Sequence, residues 1–197
     1  MIKNKYYFYV IILMLVLINI LILVKFFKRS NTIEQAIENY LSIKEQYKLL
    51  SRSMDYMVAI TVQSEGKVID TEIIDSMDLA SKIFLRFDTK SCQTCINKIQ
   101  YSLNTVKNKI KNKIIIIGSF TTKNEYEYYK MNFFKEFIVI DLEEKSLTNS
   151  IIEKNKQPYF FTIDDNNKIR NIFVPDKNFL FLTDTYLKNI TSCISYQ

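Results

Sequence analysis

Four consecutive isoleucines, Ile114-Ile115-Ile116-Ile117, limit the folds open to this chain more than any other stretch. The run 113–118 has no polar side left for solvent, so as a strand it needs cover on both faces. That requirement points to a parallel sheet layered between helices. The flanking sequence agrees. Upstream, Lys82-Ile83-Phe84-Leu85-Arg86-Phe87 reads as a strand. A helix follows, with Ile96, Ile99, Leu103, Val106 and Ile110 three and four apart on one face. Lysines 107, 109, 111 and 113 crowd its end, where they complement the helix dipole rather than mark a binding patch.

Downstream, the pattern predicts a helix over 125–135, a strand at 137–140 and a shorter helix over 147–154. Strands at 159–163 and 168–174 follow, joined as a hairpin through Asp164-Asp165-Asn166-Asn167, and a closing helix covers 179–190. The paired aspartates read as turn residues rather than as a metal or acid–base site. An earlier hairpin is expected from Ala59-Ile60-Thr61-Val62-Gln63, a turn at 64–66 and Lys67-Val68-Ile69-Asp70. The whole is an α/β domain with a mixed central sheet over 59–197.

Ahead of that domain lies a different kind of sequence. After a short tail, 1–5, residues 6–27 read as a membrane span: from Tyr6 to Val24 only Asn19 is strongly polar, and a stretch of about twenty apolar residues is long enough to cross a bilayer. No small-x-small cleavage site follows it, so the segment reads as an uncleaved signal-anchor with tyrosines at one headgroup level. Lys3 and Lys5 oppose Lys25, Lys28 and Arg29, so the charges do not orient it. The short tail and long C-terminal part favour a single-pass arrangement with the domain on the extracytoplasmic, periplasmic side. Residues 28–58 then form a helical stalk, opened by a cap-like Asn31 with Glu34 three positions on. Ile33, Ile37, Tyr40, Tyr47, Met54 and Val58 approach heptad spacing, but Lys44 and Ser51 break the seam. A spacer or domain-packing helix suits this better than a coiled coil, with a homodimer through the stalk as the other reading.

Composition removes several function classes. Five of the net +6 charges lie before residue 30, which leaves the remainder near +1 and argues against nucleic acid as a partner. The chain has no histidine, so it lacks Ser-His and Cys-His nucleophile pairs and His-ligated metals. Three cysteines fall short of a four-thiolate zinc site, and two glycines rule out a Gly-rich phosphate loop. No metal or cofactor is called for. A metal site from Cys92, Cys95, Cys193 and a carboxylate would need these to converge, and nothing in the sequence brings them together.

What remains is Cys92-Gln93-Thr94-Cys95 between a strand and an amphipathic helix. At a helix N-terminus, unpaired N–H groups and the dipole favour a thiolate, and a second cysteine one turn on can close a disulfide. Cys92 is the expected nucleophile and Cys95 the resolving thiol. Lys90 is a candidate for lowering the Cys92 pKa, set against a plain solubilising role. Cys193, beyond the last expected helix, is an odd thiol that an oxidising compartment could use to link two chains.

This order of elements, with Gln157-Pro158-Tyr159-Phe160-Phe161-Thr162-Ile163-Asp164 downstream, resembles the thioredoxin-like fold over about 59–192. In particular it resembles membrane-tethered, TlpA-like thiol-disulfide oxidoreductases. The resemblance implies that Pro158 is cis, faces the cysteines and, with Gln157, holds a substrate backbone. It implies protein disulfides or dithiols as substrates and a membrane electron donor or acceptor as partner. The chain departs from that family in having Ser91 where Trp is usual, Gln93-Thr94 in place of Pro or Gly, and no glycine in the 164–167 turn. No carboxylate is evident at the buried proton-relay position. A peroxiredoxin would need a proline that 87–92 lacks. The alternative to exchange is a thioredoxin-like scaffold with a redox-inert disulfide, acting through its stalk or through Tyr126, Tyr128, Tyr129, Phe133 and Phe134.

Overall fold

The computed structural model describes residues 2–69, 82–91, 93–110, 112–143 and 145–194, without the side chains of 2–13, 26, 27, 29–31, 33 and 109. The chain divides into two compact units, Met1–Ser51 and Arg52–Gln197. Helix α1, Ile2–Ser64, supplies most of the first unit and the opening of the second.

Within Met1–Ser51 the helix has no break where a second one was expected. Thr32 Oγ1 donates to Lys28 O at 2.9 Å, a bond inside a continuing helix, where the sequence predicted a new N-terminus at Asn31. Aliphatic residues from Met14 to Val24 are exposed, as are Ile37, Tyr40 and Tyr47. Among the described residues no helix is long and apolar enough to cross a membrane. Of the expected span 6–27, the side chains of 6–13, 26 and 27 lie outside the described residues.

The second unit is built on five strands: β1 (Ile83–Asp88), β2 (Ile114–Ser119), β3 (Ile138–Asp141), β4 (Tyr159–Ile163) and β5 (Ile169–Phe173). Their order is β3-β2-β1-β4-β5. β1, β2 and β3 run parallel, while β4 is antiparallel to both β1 and β5. Between them lie α2 (Gln93–Ile110), α3 (Lys123–Asn132) and the single turn α4 (Ile151–Lys154); α5 (Leu180–Ile194) closes the chain and takes in Cys193, expected beyond the helix. Thr122 caps α3: its hydroxyl accepts from Glu125 N at 3.2 Å while Glu125 Oε2 accepts from Thr121 N at 2.7 Å.

Strand alternation sorts the core onto two faces. Ile83, Leu85 and Phe87 of β1, Ile114 and Ile116 of β2 and Phe160 of β4 meet Ile96, Ile99 and Leu103 of α2 and Leu187 of α5. On the opposite face, Phe84, Ile115, Ile117, Tyr159 and Phe161 pack with Ile152 of α4 and Ile60 of α1. All six residues of β2 are buried, so the isoleucine run is covered on both sides. Tyr129 and Phe134 are buried, with Tyr126 and Phe133 packed partly against the first face; only Tyr128 of that aromatic group is freely exposed.

The hairpin expected over 59–70 is not formed. Residues 59–64 continue α1, with Ile60 4% and Ser64 0% exposed against 75% for Val62. Met57, Ile60 and Ser64 follow helical spacing, and the gain from packing Ile60 on the sheet outweighs the β-propensity of Ile-Thr-Val. The chain then turns at Gly66, whose φ of 77° suits glycine, and runs beside β5: Ile169 N donates to Lys67 O and Ile69 N to Asn167 O, both at 2.9 Å. Asp70 lies outside the described residues.

Candidate functional site

β1 delivers the chain to the site at its C-terminal end. Asp88 organises the exit: its Oδ1 accepts from Lys90 N at 2.7 Å and its carbonyl from Ser91 N at 2.8 Å, a tight turn that ends the strand. Its other carboxylate oxygen pairs with Lys156 Nζ at 3.7 Å, and the Ser91 hydroxyl donates to the Lys156 carbonyl. These two bonds hold the turn before α2 against the loop before β4. Cys92 lies outside the described residues; in sequence it immediately precedes Gln93, the first residue of α2.

Cys95 sits half-buried in the first turn of α2, an 18-residue helix with no acidic residue in its first turn. The unpaired N–H groups of that turn stabilise negative charge on a sulfur nearby. Gln93 is held on two sides: Tyr129 Oη donates to its Oε1 at 2.6 Å, and its Nε2 donates to Asn97 Oδ1 at 3.0 Å. Burial comes first among the causes that push the Tyr129 hydroxyl above the ordinary tyrosine range, with the nearby Glu125 carboxylate adding to it.

Cys95, Lys90, Gln157 and Pro158 line one cavity of about 530 Å³. The structure thus brings together four of the five residues singled out from the sequence. The Gln157–Pro158 peptide is trans, not cis as the family resemblance implied. An X-Pro bond favours trans by only about 0.5–1 kcal/mol, so local packing decides the isomer, and here Pro158 reaches the cavity without it.

Two groups were not foreseen. Ser53, Tyr56 and Met57, from the end of α1, form another wall of the cavity, and Asp176 lies in the loop opposite. No local pattern announces them, because their partners are more than 100 positions away: Ser53 Oγ donates to Asp176 Oδ2 at 2.5 Å and Tyr56 Oη to Gln157 Oε1 at 2.7 Å.

The second is a buried polar cluster on the Ile60 face of the sheet. Arg86 Nε meets Glu153 Oε1 at 3.2 Å with both side chains under 10% exposed, and Arg86 Nη2 donates to Ser119 Oγ at 2.8 Å. Tyr159 Oη donates to the same carboxylate oxygen at 2.5 Å and Leu147 N to the other at 3.4 Å. A buried carboxylate is therefore present, but its donors are protein groups that hold it in place. Burial, then the Glu153 charge, pushes Tyr159 well above the ordinary tyrosine range, so its hydroxyl remains a donor. Asp164 has the role assigned to it in a turn, accepting from Asn166 N and Lys168 N, both at 2.9 Å, and from Arg170 Nε.

The sheet order and directions, with α2 following the central strand and a terminal antiparallel hairpin, fit a thioredoxin-like α/β fold with a mixed sheet. No protein-family model matches the chain, and no curated protein matches it. Among solved structures, it is similar to a thioredoxin-like protein solved in its oxidised form, at 10% identity and a TM-score of 0.46, over 65% of this chain and 96% of that one. A putative thiol:disulfide interchange protein DsbE from Chlorobium tepidum is 11% identical over 66% of this chain and 96% of its own, with a TM-score of 0.43. A thio-disulfide isomerase from Thermus thermophilus is 15% identical over 54% and 77%, at 0.36.

Proposed function

We propose that this chain exchanges thiols and disulfides on protein substrates, with Cys92 as nucleophile and Cys95 as resolving thiol. One observation carries the reading: Cys95, in the first turn of a long helix, lines a cavity together with Gln157 and Pro158. In the reductase direction the Cys92 thiolate attacks one sulfur of a substrate disulfide. That S–S bond breaks, the departing thiolate takes a proton, and a mixed disulfide forms. Cys95, as thiolate, then attacks the Cys92 sulfur, and the second substrate thiol leaves. The substrate gains two electrons and two protons, and Cys92–Cys95 becomes the disulfide. Gln157 and Pro158 hold the substrate backbone, and the Lys90 charge favours the Cys92 thiolate. A membrane partner carrying a dithiol resets the pair by exchange: its thiols reduce Cys92–Cys95 and become a disulfide themselves.

The same reading tethers the domain through 6–27, with the site outside the cytoplasm. Its support is the length of the apolar run and the exposed aliphatic side chains from Met14 to Val24.

The reading is tested by equilibrating the protein in glutathione redox buffers and alkylating its thiols. A Cys92–Cys95 potential between about −270 and −120 mV is the expected result, and one well below about −300 mV would mark an inert disulfide and end the exchange reading. In the same proteins, Cys95→Ser accumulates mixed disulfides with substrates and Cys92→Ser accumulates none.

A further inference from the structure

Ser53, Tyr56 and Met57 are spaced three and four apart, so they lie on one face of α1. That face is anchored from beneath, because Met57 packs with Ile60 against the sheet. It is also latched at both edges of the cavity. Tyr56 Oη donates to Gln157 Oε1 at 2.7 Å and accepts from Asn155 Nδ2 at 3.4 Å, while Ser53 Oγ donates to Asp176 Oδ2 across the opening. The helix therefore bonds to both loops that flank Cys95, 155–158 and 174–178. Tyr56 itself stands at the rim, 40% exposed, with its ring as wall and its hydroxyl on the side chain that precedes Pro158.

Resting on the exchange reading, we propose that Tyr56 is a specificity-determining residue of the site. Its ring closes the α1 side of a cavity that would otherwise be an open groove, and its hydroxyl fixes Gln157. At about 530 Å³ the walled but open-mouthed cavity holds a small disulfide or a single extended peptide segment. A disulfide set in a broad folded surface meets the ring of Tyr56 at the mouth of the cavity that Cys95 lines. Discrimination of this kind comes from an obstruction to the wrong partner rather than from added attraction to the right one.

The test uses the full chain in mild detergent, reduced at the outset. Second-order rates are measured against two disulfides: oxidised glutathione, and ubiquitin carrying one surface cysteine capped with glutathione. The wild type is expected to prefer the small disulfide by about tenfold or more, and Tyr56→Ala to bring the two rates within about threefold by speeding the ubiquitin reaction. Tyr56→Phe keeps the wall and should keep the preference. The Cys92–Cys95 potential should be the same in all three, which separates a wall from a change in the thiols themselves. A rate ratio unmoved in Tyr56→Ala overturns the proposal. Should that variant lose its cooperative melt, Ser53→Phe replaces it, with the preference expected to rise about threefold; an unmoved ratio there overturns the proposal equally. A wild type that reacts with neither disulfide sinks the exchange reading instead.

Discussion

The two faces of the central sheet are buried to similar depth by different means. The α2 and α5 face is mainly apolar, from Ile83, Leu85 and Phe87 to Leu103 and Leu187, with the Tyr129 hydroxyl bonded to Gln93 as a polar exception. The opposite face encloses Arg86, Glu153, Tyr159 and Ser119 among its aliphatic and aromatic residues. An apolar face loses stability in proportion to the volume removed, and a neighbour partly fills the space. A polar cluster is closer to all-or-none, because removing one member strands the others in a medium that cannot solvate them. Beside that second face, the Asp88–Lys156 pair at the site edge lines the same recess as Arg86 and Glu153.

Breaking the cluster should have the largest effect. Arg86→Ala leaves the Glu153 carboxylate buried without its cation and is expected to cost about 3–5 kcal/mol, read from denaturant midpoints by near-ultraviolet circular dichroism of the tyrosines. Replacing the group together, as Arg86→Met, Glu153→Leu and Tyr159→Phe, should recover most of that loss. If the triple variant is no more stable than Arg86→Ala, the all-or-none account fails. On the apolar face, Leu103→Ala removes a fully buried side chain and should cost about 3 kcal/mol, within the range for such truncations.

Tyr159→Phe removes a single donor and should cost about 1–2 kcal/mol at neutral pH. Its pH signature is more specific. Burial raises the folded-state pKa of Tyr159 above the unfolded value near 10, so its contribution is intact below about pH 10 and is lost as pH rises toward the folded value. The wild type should therefore lose stability in alkali more steeply than Tyr159→Phe, and parallel alkaline limbs would contradict the assignment.

Asp164 gives the smallest effect and the opposite sign. The Lys168 backbone N–H first, then Arg170 and Asn166, hold its pKa below the usual carboxylate value. Its contribution is present above about pH 4 and disappears as pH falls through the folded value. Asp164→Asn should flatten the acid limb slightly and leave the rest of the pH profile unchanged.

Legibility in the sequence followed the range of the interactions. β1, β2, β4 and β5 fell within a residue or so of their expected places, because alternation and apolar runs are local patterns. The final helix outran its expected end at 190, and α4 came down to one turn of a predicted eight-residue helix. A short motif and a family resemblance single out Cys95, Lys90, Gln157 and Pro158, and the four line one cavity. Arg86 was read simply as part of a strand, since its partner lies 67 positions away on α4. Residues 59–64 went wrong for the same reason: β-branched side chains suggested a strand, and only the sheet beneath Ile60 selects the helix.

Local sequence alone dictates the alternation of strands and helices, the double-sided burial of the isoleucine run and the place of Cys95 in the first turn of a helix that follows a strand. Each of these is dictated by spacing within a few residues. The rest came from the tertiary structure: the trans Gln157–Pro158 bond, the Arg86–Glu153–Tyr159 cluster and the face of α1 that walls the cavity lined by Cys95. Those depend on which distant groups arrive together when the sheet closes. Burial strengthens a polar bond or penalises an unmet one only once that sheet exists.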